Sequence, residues 1–199
     1  LTLSAALTNG TDTMYCVFLG RALQTVNAPN ASVGTAQLGS SLDFSSKTIT
    51  LASNMKNTPA FGAYAGSDQS SIADDTWTKV AMNTEFYDTD SKYDTSTYRF
   101  TPGTAGKYMF GASIFLEQSN TNEGCAMSFY KNGAKNIYTE QLLDNTNRLH
   151  LTGVMDLDAD DYVELYAVVN MNSGNTWNIN QDGAVTNRVF WYGHKLIGV

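Results

Sequence analysis

The residues with the plainest capacity for chemistry are carboxylates. Asp88, Asp90 and Asp94 lie within DTDSKYD, and hard cations such as Ca²⁺ seek oxygens clustered in this way. The run has neither the Gly nor the distal Glu of an EF-hand loop, so no motif specifies a metal and no cofactor is expected. The favoured reading is a solvated acidic turn whose Asp side chains cap backbone N–H groups. It serves equally for Asp74-Asp75 and for Asp158, Asp160 and Asp161. A glycoside hydrolase needs two carboxylates at a defined separation in a cleft, but with 19 acidic residues some pair meets that by chance. His150 and His194, the only histidines, sit in no Gly-x-Ser-x-Gly or zinc spacing and read as strand positions. A third resource is aromatic: Trp177 lies in NMNSGNTWNINQDG. A ring among amide side chains suits a saccharide, by stacking plus hydrogen bonds. The candidate glycan-binding residues are therefore Trp177, Asn175, Asn178, Asn180 and Gln181. The competing reading is a loop aromatic that packs onto the body of the protein.

The elements that must position these residues are strands. Of the 199 residues 42% are hydrophobic and only 16% charged, against about 25% charged in an average soluble domain. Thr and Tyr suit pleated, half-buried strands, while Asn, Ser and Gly suit turns. Few charges also suit a surface partly hidden in an oligomer. A net charge of −7 argues against non-specific nucleic-acid binding and against attraction to anionic membranes. No apolar run approaches the roughly 20 residues of a membrane span. Cys16 and Cys125 could pair but make no disulfide framework and no zinc spacing; both read as small buried strand residues. Asn9-Gly10-Thr11 and Asn30-Ala31-Ser32 are formal glycosylation sequons.

Three zones follow along the chain. Residues 1–24 hold an Asn9-Gly10 turn before MYCVFL (Met14–Leu19), the hairpin pattern of terminal strands from an upstream β region. The chain opens at Leu1 without an initiator Met, and Leu1–Leu7 lacks the length and basic flank of a signal peptide, so a fragment or processed product is expected. Residues 25–57 are small and polar, punctuated by Pro29, Gly34 and Gly39, with one short strand expected over Lys47–Leu51; they read as an extended arm. From Thr58 to Val199 short strands alternate with turn clusters. Tyr108, Phe110, Ala112, Ile114 and Leu116 alternate with Met109, Gly111, Ser113 and Phe115, leaving apolar groups on both faces. Tyr162–Val169 behaves likewise. A strand with one wet face should alternate apolar with polar, so a second buried surface is implied, most simply a subunit interface.

The stretch from Thr78 to Phe110 resembles the core signature of the C1q/TNF-like jelly-roll family. The matching positions are Tyr93-Asp94 and then Phe100, Thr101, Gly106, Tyr108 and Phe110. The resemblance extends over Pro59–Tyr64 as the opening strand, Trp77–Asn83 as the next, and AMSFYKNG (Ala126–Gly133) with its Asn132-Gly133 turn. It continues over LDADDYVEL (Leu157–Leu165) and the closing FWYGHKLI (Phe190–Ile197). Asp160 stands where the family usually has Gly, Pro102 falls one place early, and His194-Lys195 inserts a residue before Leu196. No collagen-like stalk precedes the head, which disfavours an extracellular animal ligand. GTDTMYCVFLGRALQTVNAP and SVGTAQL resemble segments that precede distal heads in bacteriophage tail and head fibres.

The resemblance implies an all-β protein, a C1q/TNF-like jelly-roll sandwich over residues 58–199 preceded by an extended β arm. It also implies a homotrimer and no catalysis. The residues expected in core or trimer interface are Tyr108, Phe110, Phe115, Phe129, Tyr166, Phe190 and Tyr192. Some relatives hold Ca²⁺ near the three-fold axis, with no ligand set that maps onto this chain. The expected function is that of a virion-surface fibre head that binds a host receptor glycan, with other virion proteins met through residues 1–57. The alternative is a capsid decoration or fibre-capping protein that locks trimers and clamps neighbouring subunits.

Overall fold

The structure, a computed structural model, describes residues 45, 48–52, 55–118, 122–141, 147–171, 175–181 and 188–198. The chain divides into two units, Leu1–Ile49 and Thr50–Val199, and the elements below lie in the second. The Asn9-Gly10 hairpin, the Met14–Leu19 strand and Cys16 lie outside the described residues. The strand expected over Lys47–Leu51 is not found: Thr48–Leu51 carries no strand pairing. A strand exists only where a neighbour takes up its N–H and C=O groups, and among the described residues none pairs with this segment.

Among the described residues thirteen strands form two antiparallel sheets, and no α-helix occurs. In chain order they are β1 (Ala60–Tyr64), β2 (Gln69–Ala73), β3 (Thr78–Lys79), β4 (Thr84–Asp88), β5 (Tyr93–Asp94), β6 (Arg99–Phe100) and β7 (Gly106–Gln118). Then follow β8 (Asn122–Lys131), β9 (Ala134–Gln141), β10 (Asn147–Leu157), β11 (Val163–Met171), β12 (Thr176–Ile179) and β13 (Phe190–Lys195). The first sheet runs β2-β12-β7-β13-β1-β4, with β10 along the other edge of β7. The second runs β5-β6-β11-β8-β9, with β3 beside β11. The β8–β9 hairpin turns at Asn132-Gly133, both at positive φ (51° and 79°), the geometry that makes this dipeptide a hairpin turn.

The alternation of β7 separates inside from outside. Tyr108, Phe110, Ala112, Ile114 and Leu116 are buried between the sheets. They meet Trp191 of β13, Phe61 of β1, and Met127 and Phe129 of β8 in one core. Phe61 is its hub: its ring lies 4.6 Å from Phe100, 4.9 Å from Tyr93 and 4.8 Å from Trp191. The two tyrosine hydroxyls are satisfied locally, Tyr93 donating to the Met82 carbonyl and Tyr108 to that of Thr104, whereas the buried Trp191 Nε1 has no hydrogen-bond partner among the described residues. Gly193 is required within β13, because a Cβ there would lie 2.5 Å from the Phe110 ring. Cys125 is a free thiol in this core, pushed up to about 12 by burial.

The expected strand over Trp77–Asn83 shrinks to Thr78–Lys79, and Tyr93-Asp94, expected in a turn, forms β5 against β6. Asp160 closes its turn without the glycine the family uses. Asp161 accepts from the Asp158 N–H at 2.7 Å, which fixes the loop by a side chain instead of by a left-handed backbone.

Candidate binding surfaces

The acidic groups are engaged with the backbone. Asp94 accepts from the N–H and hydroxyl groups of Ser96 and Thr97. These bonds hold its carboxyl at about 2. Asp88 accepts from Tyr93 N–H at 2.8 Å, and Asp74 from Met171 N–H at 2.8 Å. Asp161 accepts from Lys131, the Asp158 N–H and Asn132, which together hold it at about 2. Asp88 and Asp94 thus cap N–H groups of their own turn as the sequence suggests, whereas Asp74 reaches across to β11 and Asp161 also ties its turn to Lys131 and Asn132. Among the described residues no group of three or more His, Cys, Asp or Glu could hold a metal ion.

Two broad surfaces remain, the outer faces of the two sheets. On the first, rows run straight across paired strands. One row is Thr152, Gly111, Tyr192, Gly62 and Tyr87; the next is His150, Ser113, Phe190, Tyr64 and Thr84. The two glycines admit the two tyrosines: a Cβ at Gly111 would lie 2.4 Å from the Tyr192 ring, and one at Gly62 2.8 Å from Tyr87. The Phe86 ring lies tilted against Tyr64 at 4.6 Å, and Phe190 stacks near Tyr192 at 6.3 Å. Phe86, Tyr87 and Val154 are each about half exposed (53%, 48% and 50%). Cations stand at both ends of β7: the Arg188 guanidinium lies 4.8 Å over Phe115 and that of Arg148 5.9 Å, and at the other end Lys107 pairs with Asp156 at 2.6 Å.

The outer face of the second sheet interleaves rings with charge. Tyr130 stacks on Tyr166 at 4.2 Å, Trp77 meets Tyr130 at 5.9 Å, and Lys135 Nζ sits 4.0 Å over Trp77. Glu164 is buried although its strand position points outward, because Lys79 (2.7 Å) and Arg99 (2.8 Å) close over it. Burial alone would raise its pKa, but the hydrogen bonds and charges of these two cations outweigh it and hold the carboxyl below its usual range. Arg99 also lies 3.7 Å over the Tyr162 ring.

No family model matches the chain. The structure of murine APRIL at pH 5.0 aligns over 69% of this chain and 98% of its own, with TM-score 0.52 at 10% identity. The form at pH 8.0 aligns over the same shares with TM-score 0.51 at 13% identity. The globular domain of zebrafish complement 1qA aligns over 71% of this chain and 98% of its own, with TM-score 0.49 at 13% identity. The fold is a C1q/TNF-like jelly roll. At these identities the likeness is one of fold alone. In sequence, phage-like element PBSX protein XkdV of Bacillus subtilis (strain 168) is 30% identical over 101 residues, 46% of this chain. The match spans 15% of that protein's length. Among the described residues no helix is long and apolar enough to cross a membrane.

Within this jelly roll the residues read from sequence fall in three places. Tyr108, Phe110 and Phe129 are fully buried in the core, so they are core residues and not interface. Phe115, Phe190 and Tyr192 are half-buried on the outer face of the first sheet, whereas Tyr166 is half-buried on that of the second. The glycan candidates need correction. Trp177 is not a loop aromatic: it sits in β12, fully buried, with Nε1 donating to the Ala73 carbonyl at 3.0 Å. It offers no face for stacking. Asn178 accepts from Ser71 N–H, Asn180 donates to Glu117, and the Gln181 N–H donates to Asp68, so this segment is fastened to β2 and β7. Asn175 is exposed at its start. Trp77, just before β3, reads from sequence as core or interface but lies half-buried on the outer face of the second sheet with Tyr130 of β8 and Tyr138 of β9; only the pairing of these segments brings the three rings to one face.

Proposed function

We propose that the protein is a non-catalytic, trimeric virion-surface protein of a phage, whose jelly-roll head attaches to a glycan on the host surface. The observation that carries the self-association is the cation-free aromatic surface of Tyr64, Phe86, Tyr87, Phe190 and Tyr192. A contiguous apolar patch of this kind marks an interaction site, and an isologous or cyclic contact with further copies covers it on every subunit. The sequence likeness to a protein of a phage-like element supports the virion setting. Residues 1–57 are assigned to contacts with other virion proteins.

The test is a binding assay of the purified full chain on whole host cells and on an array of oligosaccharides, with oligomeric state measured on the same sample. A trimer that binds saturably supports an attachment head. A trimer that binds no cell and no saccharide supports the decoration or capping alternative. A catalytic turnover of any arrayed saccharide contradicts the reading outright.

A further inference from the structure

On the outer face of the second sheet the first half of β8, between β11 and the edge strand β9, is built from small residues. Gly124, Ala126 and Ser128 alternate outward, flanked in register by Asn170, Val168 and Tyr166 of β11 and, on the other side, by Glu140 and Tyr138 of β9. Taller neighbours on both sides make a trough, and a glycine inside a strand often marks close approach of a ligand. The trough is closed over Ser128, which is fully buried, and opens over Gly124 and Ala126 into a cleft of about 430 Å³. That is within the range of about 300–1,000 Å³ usual for small-ligand sites.

The lining has a definite chemistry. Asp75 on one flank and Glu140 on the other bring carboxylates, Gln141 and Asn170 bring amides, and among the described residues no Lys, Arg or His lines the cleft. One row along the strands, a step of roughly 7 Å, stand Tyr166 and Tyr138, the latter 55% exposed. Lys135 Nζ lies 5.8 Å over the Tyr138 ring and Lys79 Nζ 6.0 Å over that of Tyr166, so the rings belong to the rim; within the cleft a floor of small residues between amides suits a sugar, and a carboxylate on its wall suits an ammonium group. The net charge of −7 further disfavours anionic saccharides. We propose that this cleft is the saccharide site and that it takes a sugar bearing a free amine, the ammonium held by Glu140 and the ring laid over Gly124 and Ala126. This rests on the glycan-attachment reading above and replaces Trp177 as its locus.

The test titrates the full chain with glucosamine oligomers, N-acetylglucosamine oligomers and sialylated oligosaccharides, for wild type, Glu140→Gln and Ala126→Trp. Thermal midpoint and native mass serve as folding controls. Expected are binding of the free-amine oligomers, loss of about tenfold or more in affinity when the amine is acetylated or Glu140 is neutralised, and weakening with added salt. Ala126→Trp, which fills the cleft, should abolish binding. Wild type that binds a saccharide while both folded variants bind it equally well overturns the site and leaves glycan attachment standing. A preference for N-acetylated or sialylated forms overturns the amine. Folded wild type that binds no saccharide and no host cell overturns both readings.

Discussion

The outer faces of the two sheets share one pleat and one aromatic vocabulary, yet they meet water differently. On the first, Tyr192 and Tyr87 lie over glycines, and Phe190, Tyr64 and Phe86 extend the surface without a cation among them. On the second, Trp77 carries Lys135, Tyr162 carries Arg99, and Glu164 is clamped between Lys79 and Arg99. A cation over a ring keeps its hydrated head in water while covering the apolar face. Burying such a pair under a partner subunit would require desolvating the charge. The comparison teaches that aromatic content alone does not identify an interface; what accompanies each ring does. The first face is suited to a second protein surface, the second to solvent and small polar ligands.

Substitutions can break or sharpen that contrast. The largest effect belongs to a residue on neither face: Trp177→Ala should destabilise the fold by about 3–5 kcal/mol, lowering the thermal midpoint by about 10 °C, since its ring is in the core. A thermal melt decides this; an unchanged midpoint with selective loss of glycan binding would return Trp177 to the surface. Next, Glu164→Gln leaves Lys79 and Arg99 without their shared carboxylate and should cost about 1–3 kcal/mol by urea unfolding. No change there would mean the charged framework of the second face contributes nothing to its rigidity.

Acid should act through Asp94 and Asp161. Both are held at about 2, below the ordinary carboxylate value. A depressed folded-state pKa stabilises above the unfolded pKa, so the contribution is complete above roughly pH 4–5 and is lost as pH falls toward 2. Asp161→Asn should flatten that part of a stability–pH profile; a profile still as steep would place the titrating groups elsewhere. The smallest effect is expected for Lys135→Met, which removes the cation over Trp77 and should cost about 0.5–1 kcal/mol, measured as a shift in urea midpoint.

Much of the architecture was legible in the sequence for physical reasons. The thirteen-residue β7 writes its pleat into alternating residues, and Asn132-Gly133 sets a hairpin by its φ preference. The apolar residues on the second face of β7 imply a second buried surface, and the structure places them with Phe190 and Tyr192 on the outer face of the first sheet. β12 was not legible because TWNI is four residues long within a polar run, and only pairing with β2 and β7 turns its tryptophan inward. The cleft on the second sheet was not legible either: Asp75, Ala126 and Glu140 are far apart in sequence and meet only through the ladders of β8, β9 and β11.

The central claim is that the aromatic surface of the first sheet is covered by further copies of the same chain. Native mass spectrometry of the full chain beside Tyr192→Asp tests it directly. The account predicts three chains for the wild type and a folded single chain for the variant, whose charge would be buried against a neighbouring subunit. A wild type that is monomeric at micromolar concentration, or a trimer indifferent to Tyr192→Asp, would contradict it.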